Sequence, residues 1–139
     1  MTPLRAHHVG ITVSDLDRCG AFYREDLGFE SLDRFTVSGE AFARVVDVEN
    51  VSARFVHLDA EGIRLELVEY DPTGDSRVDA ELHRSGTTHL CFSVEDLDEY
   101  VEALPASVTI RAGPVTTESG SRLCFLQDPE GNSIELLER

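Results

Sequence analysis

The sequence of this chain contains an internal repeat. Residues 8–23 read HVGITVSDLDRCGAFY, and residues 89–100 read HLCFSVEDLDEY. In both segments a histidine precedes alternating apolar and polar residues, which is the period of a β-strand. Both then reach Asp-Leu-Asp, where an aspartate can cap the first turn of a helix. A repeat sets the architecture before any local assignment, so the sequence predicts two copies of one structural unit.

A second repeat links the ends of the two units. Residues 59–69 read DAEGIRLELVE, and residues 128–138 read DPEGNSIELLE. Each unit therefore begins with a histidine and finishes with a glutamate. The predicted domain covers residues 1–139, with module 1 at about 4–70, a linker at about 71–86 and module 2 at about 87–139.

Each module is predicted to contain a strand, a helix and then three strands. The first helix is expected to run to about residue 27 and to end at Gly28, because glycine tolerates the positive φ of a helix terminus. Residues 38–51 are interpreted as an irregular excursion with one short strand, and a helical turn is expected over 78–83. The strands are predicted at 3–14, 29–37, 53–59, 63–70, 88–94, 108–114, 122–127 and 133–138, and the second helix at 95–104.

This element order predicts an α+β fold of two tandem βαβββ modules. The helix of one module covers one face of its sheet and leaves the other face open. Two such modules can curve their open faces into a shared cleft of mixed β-sheet, with the helices on the outside.

Composition narrows the class of protein. The hydrophobic fraction of 41% is enough for a packed core, and the net charge of −15 disfavours binding to nucleic acid or to anionic membranes. No apolar run approaches the roughly 20 residues that cross a bilayer, and the first residues lack the apolar core of a secretory signal. Three cysteines without a CxxC pair are typical of a reduced protein, so a cytoplasmic location is expected.

Strand parity assigns four repeated polar residues to the open faces. His8 and His89 lie opposite the apolar stripes of their strands, and Glu66 and Glu135 lie opposite the stripes of the last strands. Two imidazoles and two carboxylates converging on one point would suit a divalent ion such as Zn, Ni, Co, Mn or Fe. They would leave one or two positions open for water or substrate.

The other candidates are set aside on the same grounds. His7 matches Thr88 in the repeat, so His8 is preferred. His57 and His83 have no counterpart and are interpreted as surface or packing residues. Glu69 and Glu138 also repeat, but with the opposite parity, and are interpreted as exposed acids at strand ends.

With these residues in place, the chain resembles the vicinal oxygen chelate superfamily of glyoxalases, bleomycin-resistance proteins and extradiol dioxygenases. The resemblance covers nearly the whole chain and rests on HHVGITVSDLDRCGAFYREDLGFE, THLCFSVEDLDE and FLQDPEGNSIELLE. The family's metal ligands, carried over by position, fall on His8, Glu66, His89 and Glu135. The resemblance thus implies one bound divalent metal ion and a small-molecule substrate.

The ligand set resembles that of glyoxalase I and is close to that of methylmalonyl-CoA epimerase. In such isomerases a carboxylate at the metal moves a proton on the carbon next to a coordinated carbonyl. On that analogy Glu135 is the first choice for the catalytic base and Glu66 the second. A metal-dependent lyase or isomerase is therefore the preferred reading.

Three alternatives within the superfamily stay open. One is a fosfomycin-resistance thiol transferase, which as a rule uses three protein ligands. Extradiol dioxygenases use two histidines and one carboxylate on Fe(II), so a fourth ligand at Glu66 would crowd that reaction. Metal-free drug-binding relatives, which form the non-enzyme alternative, usually lack the ligand set. The resemblance also implies a homodimer, with the cleft built within one chain or across two.

Substrate recognition is harder to assign. Residues 38–51 do not resemble a glutathione-binding stretch, and six arginines could hold an anionic group: Arg34, Arg44, Arg54, Arg64, Arg111 and Arg122. Arg64 shares a face with Glu66, two residues away. It is therefore the preferred contact for a substrate carboxylate or phosphate.

Overall fold

The computed structural model describes residues 1–76 and 81–139. Contacts divide the chain into two units, Met1–Asp75 and Ser76–Arg139, each described by itself below. Part of the helical turn expected over 78–83 lies outside the described residues, and residues 81–83 are not helical.

The first unit is a four-stranded mixed sheet with three helical segments. In chain order these elements are β1 (Val9–Thr12), α1 (Leu16–Ala21), a π-helical turn (Phe22–Asp26), β2 (Glu30–Ser38), α2 (Glu40–Val46), β3 (Ser52–Asp59) and β4 (Arg64–Asp71). The strand order is β1-β4-β3-β2. β1 runs parallel to β4, and the other pairs are antiparallel.

The second unit repeats this plan with fewer helical residues. Its elements are β5 (Leu90–Val94), α3 (Leu97–Ala103), β6 (Thr109–Thr116), β7 (Arg122–Gln127) and β8 (Ser133–Glu138). The strand order β5-β8-β7-β6, with β5 parallel to β8, matches the first sheet strand for strand. The predicted α+β fold of two repeated modules is confirmed, and the two units are called module 1 and module 2 below.

One prediction was wrong: residues 38–51 contain helix α2 rather than a short strand. Gly39, with φ of 108°, leads into the helix, and Asp47 leaves it in the left-handed region at φ 58°. The β-branched pair Val45-Val46 resembles a strand in the sequence. The helix is stabilised instead by packing, since the Phe42 ring lies 6.3 Å from that of Phe55 across the open face of the sheet.

The core of module 1 lies between one face of the sheet and helix α1 with the π-helical turn that follows it. Leu16, Cys19 and Tyr23 are fully or almost fully buried, as are Leu65 and Leu67 on β4. Gly28 ends the helical segment at φ 80°, as predicted. Burial of each such leucine stabilises the fold by about 1.5–3 kcal/mol, so this layer anchors the strand that carries Glu66.

Helices α1 and α3 begin in the same way. Asp15 accepts a hydrogen bond from the Arg18 N–H at 3.0 Å, and Asp96 accepts one from the Glu99 N–H at 2.9 Å. These are the predicted aspartate caps, and each satisfies one of the unpaired N–H groups of a first turn.

A second carboxylate reaches each helix from the last strand of its module. Glu69 accepts from the Leu16 N–H at 2.8 Å, and Glu138 accepts from the Leu97 N–H at 2.9 Å. The interpretation of these glutamates as exposed strand-end acids was wrong. Their parity, opposite to that of Glu66 and Glu135, directs them to the helix side of the sheet, where they bind the helix N-termini.

None of the helices in the described ranges, 1–76 and 81–139, is long and apolar enough to cross a membrane.

Candidate functional site

In module 1 the structure brings His8 to Glu66. The parallel pairing of β1 and β4 sets Gly10 beside Glu66, and His8 lies just before β1. His8 Nε2 lies 3.5 Å from Glu66 Oε2. A Cβ atom at Gly10 would lie 3.7 Å from Glu66 Oε1 and 3.9 Å from the His8 ring. Glycine therefore leaves room beside this pair.

In module 2 the structure brings His89 to Glu135 in the same way. The Nε2 atom of His89 lies 3.1 Å from Glu135 Oε2. Cys91 pairs with Glu135 across β5 and β8, at the position that Gly10 holds in module 1. Each predicted histidine thus contacts the glutamate predicted for its own module.

His57 is a site residue that the sequence analysis missed. It pairs with Glu66 across β3 and β4, is 5% exposed, and lies with Nε2 2.7 Å from Glu66 Oε2. Its other ring nitrogen, Nδ1, lies 3.2 Å from Arg64 Nη1. The signal in the sequence was strand parity, since His57 alternates with Val56 and Leu58 and so shares the open face with Glu66.

The two remaining histidines stay outside this contact. His7 is exposed, and its Nδ1 lies 2.8 Å from Nδ1 of His8. His83 is exposed and lies 3.6 Å from Glu81, as expected for a surface residue.

Cys91 adds a thiol to the module 2 pair. Partial burial, the negative charge of Glu135 and a hydrogen bond to that carboxylate all raise the pKa of the Cys91 thiol. A thiol with a raised pKa stays protonated near neutral pH and is a weak nucleophile. In this state Cys91 is a neighbour of Glu135 rather than an attacking group.

Two of the arginines proposed as anion contacts are occupied by the chain's own carboxylates. Arg54 Nη2 lies 2.9 Å from Glu69, and Arg122 Nη2 lies 2.6 Å from Asp98. These hydrogen bonds raise the pKa of both guanidinium groups. Arg64, by contrast, contacts His57, and the described residues place no carboxylate within ion-pair distance of it.

The donor atoms of the two pairs suit a divalent metal ion. Imidazole nitrogen and carboxylate oxygen are the ligands preferred by zinc and its neighbours in the first transition series. Each module supplies one such pair, with the atoms 3.5 Å apart in module 1 and 3.1 Å apart in module 2. Within the described ranges, no group of three or more His, Cys, Asp or Glu side chains meets the spacing of a complete metal site.

Comparison with known proteins assigns this chain to a family. The family model of the Glyoxalase/Bleomycin resistance protein/Dioxygenase superfamily matches residues 5–136. The chain therefore belongs to that superfamily, as its sequence motifs predicted.

Three relatives within this superfamily show which named proteins the chain is similar to. The chain is 31% identical to a 2-epi-5-epi-valiolone epimerase from Actinomyces sp., over 94% of this chain and 77% of that protein. It is also 31% identical to a lactoylglutathione lyase from Haemophilus influenzae, over 94% of this chain and 90% of that protein. It spans only 43% of the length of a putative lactoylglutathione lyase from Brassica oleracea, to which it is 32% identical.

Among solved structures, a glyoxalase family protein from Bacillus cereus has a TM-score of 0.86 and 28% identity. The match covers 99% of this chain and 95% of that one. The activities named among these relatives are those of a lyase and an epimerase, which support an enzyme of the lyase or isomerase type.

Proposed function

We propose that this chain is a metal-dependent lyase or isomerase that moves a proton on the carbon next to a chelated carbonyl. The observation that carries the proposal is the recurrence of one imidazole–carboxylate pair at equivalent positions of both modules. Both histidines are exposed rather than packed in the core, so packing does not account for the pairs. The lyase and epimerase names of relatives support the same class of reaction.

In this proposal His8, Glu66, His89 and Glu135 are the ligands of a single divalent ion. When bound, that ion supplies Lewis acidity that polarises a substrate carbonyl and makes the neighbouring C–H more acidic. The chain's own residues then have to accept and return one proton.

Glu135 is the group proposed to move that proton. Its carboxylate contacts His89 at 3.1 Å and the Cys91 thiol, and no second imidazole holds it in the described part of module 2. A carboxylate with few fixed bonds can approach a substrate carbon and withdraw with the proton. Glu66 is the second choice, because its Oε2 atom already lies 2.7 Å from His57.

Arg64 is proposed to bind an anionic group of the substrate. One of its nitrogens contacts His57 at 3.2 Å, and a guanidinium carries further N–H donors that match a carboxylate or phosphate. We also propose that the protein is a homodimer and that it is located in the cytoplasm.

The test is a substrate panel assayed with metal-loaded protein. Hemithioacetals of 2-oxoaldehydes, acyl-CoA thioesters and catechols are offered to protein reconstituted with Zn²⁺, Ni²⁺, Co²⁺, Mn²⁺ or Fe²⁺. Isomerisation, or exchange of the proton next to the carbonyl, is the expected result. Oxygen uptake with catechols under Fe²⁺ would assign a dioxygenase instead. Ligand binding without turnover or metal uptake would assign a binding protein.

A further inference from the structure

The carboxylate of Glu66 is held by a contact that Glu135 lacks. His57 stands opposite Glu66 in the β3–β4 pairing, and Phe125 stands opposite Glu135 in the β7–β8 pairing. The two positions are equivalent by strand pairing, since each lies opposite the glutamate of its own module. Module 1 therefore has a hydrogen-bonding ring where module 2 has an apolar one.

The proton on His57 can be placed from its two partners. Arg64 carries only N–H donors, so the Nδ1 atom it contacts at 3.2 Å has to be an acceptor. A neutral imidazole then carries its proton on Nε2. That N–H donates to Glu66 Oε2 at 2.7 Å, which gives a directed chain from Arg64 through His57 to Glu66.

Packing fixes the ring of His57 in this orientation. His57 is 5% exposed, and its ring packs at a steep angle against the Phe35 ring with a centroid distance of 5.2 Å. Phe35 in turn stacks on Phe55 at 4.9 Å. A buried ring held at both nitrogens and along one side has little freedom to turn away from Glu66.

We propose that His57, oriented by Arg64, is a positioning residue that fixes the carboxylate of Glu66. With Oε2 held by His57, the carboxylate keeps one orientation, and Oε1 lies on the side left open by Gly10. This inference rests on the proposed function, in which Glu66 is a metal ligand. It makes the two glutamates unequal, since Glu66 stays in place as a ligand while Glu135 moves as the base.

Metal affinity tests this role without any substrate. Hydrogen-bond partners of metal ligands typically contribute about 10–100-fold in affinity, so His57→Phe should weaken Co²⁺ binding by about that factor. His57→Gln keeps an N–H donor and should recover most of the loss. His83→Phe, at an exposed histidine, should bind Co²⁺ like the parent chain. Affinities are measured by competition with a coloured chelator, and folding is checked by circular dichroism.

The Co²⁺ results separate the inference from the proposed function. Parent-like affinity in folded His57→Phe would overturn the positioning role while leaving the metal enzyme intact. A parent chain that binds no Co²⁺, Zn²⁺ or Ni²⁺ would overturn both. Loss of affinity in His57→Gln as large as in His57→Phe would also contradict the role assigned to the donated hydrogen bond.

The orienting part of the inference has its own readout in the metal-free protein. At a pH where the imidazole is neutral, its ¹⁵N spectra should show the proton of His57 on Nε2. Arg64→Met, which removes the donor to Nδ1, should introduce the form protonated on Nδ1. A parent chain with the proton on Nδ1, or a spectrum unchanged by Arg64→Met, would overturn the assignment even if His57→Phe fails to fold.

Discussion

The two modules are alike where they hold their helices and unlike where they hold their glutamates. In both, a carboxylate from the last strand binds the first helical N–H group, and an arginine across the sheet lies next to that carboxylate. On the opposite face, Glu66 is flanked by His57 and Gly10, whereas Glu135 is flanked by Phe125 and Cys91. The repeat preserves the scaffold and varies the neighbours of the glutamate on the open face.

This contrast shows which contacts the architecture itself requires. A helix that packs on a sheet needs its first N–H groups satisfied in every copy, so the capping carboxylates recur. The open face of a sheet carries no such requirement from one copy to the next. Glu66 and Glu135 can therefore take different environments, and different environments give equal groups different roles.

The greatest loss of activity is expected from a substitution that separates the roles proposed for Glu135 and Glu66. Glu135→Gln should lower turnover by about 10²–10⁴-fold, because an amide cannot accept the substrate proton, while substrate binding is largely retained. Glu66→Gln should weaken metal affinity more than it lowers the turnover of metal-saturated protein. Both are measured by steady-state kinetics beside chelator competition. If Glu135→Gln turns over like the parent chain, Glu135 is not the base.

The next effect concerns the difference in burial between equivalent residues at the first helical segments of the two modules. Tyr23 is fully buried in the helical segment of module 1, and its counterpart in the repeat, Leu104, is half-buried. Tyr23→Ala should lower the free energy of unfolding by about 3–5 kcal/mol, as expected for loss of a large buried ring. Leu104→Ala should cost less. Urea denaturation measures both, and equal losses would contradict the difference in burial.

The smallest effect tests the shared scaffold. Glu69→Ala and Glu138→Ala should each lower the free energy of unfolding by about 1–3 kcal/mol, because each leaves a helix N–H group without its partner. Glu102→Ala, at an exposed acid on α3, is the matched control and should change stability by no more than about 0.5 kcal/mol. Urea denaturation again supplies the numbers. A Glu69 or Glu138 variant as stable as the control would show that the capping contacts contribute little.

Most of the fold could be predicted because the repeat and the strand parity can be read directly from the sequence. The bounds of β7 and β8 were predicted correctly, and the other strands except β1 were predicted within about two residues. Strand β1 starts at Val9 rather than residue 3, since the first residues find no sheet partner at its edge. Helix α2 was missed because its stability comes from Phe42 packing on the sheet, which no local pattern reveals.

Only the candidate site residues that occur in both copies of the repeat were predicted from the sequence. Parity selected His8 with Glu66 and His89 with Glu135, and each pair meets within its module. His57 was not predicted as a site residue because it occurs in only one copy of the repeat, whereas the predicted residues occur in both. Its role depends on hairpin register and on Arg64, which become visible only when β3 and β4 are paired.

Metal stoichiometry distinguishes one ion held jointly by the two pairs, as proposed, from an ion held by each pair alone. Elemental analysis of reconstituted protein should give about one divalent ion per chain, and either His8→Ala or His89→Ala should remove it. Two ions per chain, with each variant keeping one, would show that each module binds metal separately. No bound ion in the parent chain would contradict the account altogether.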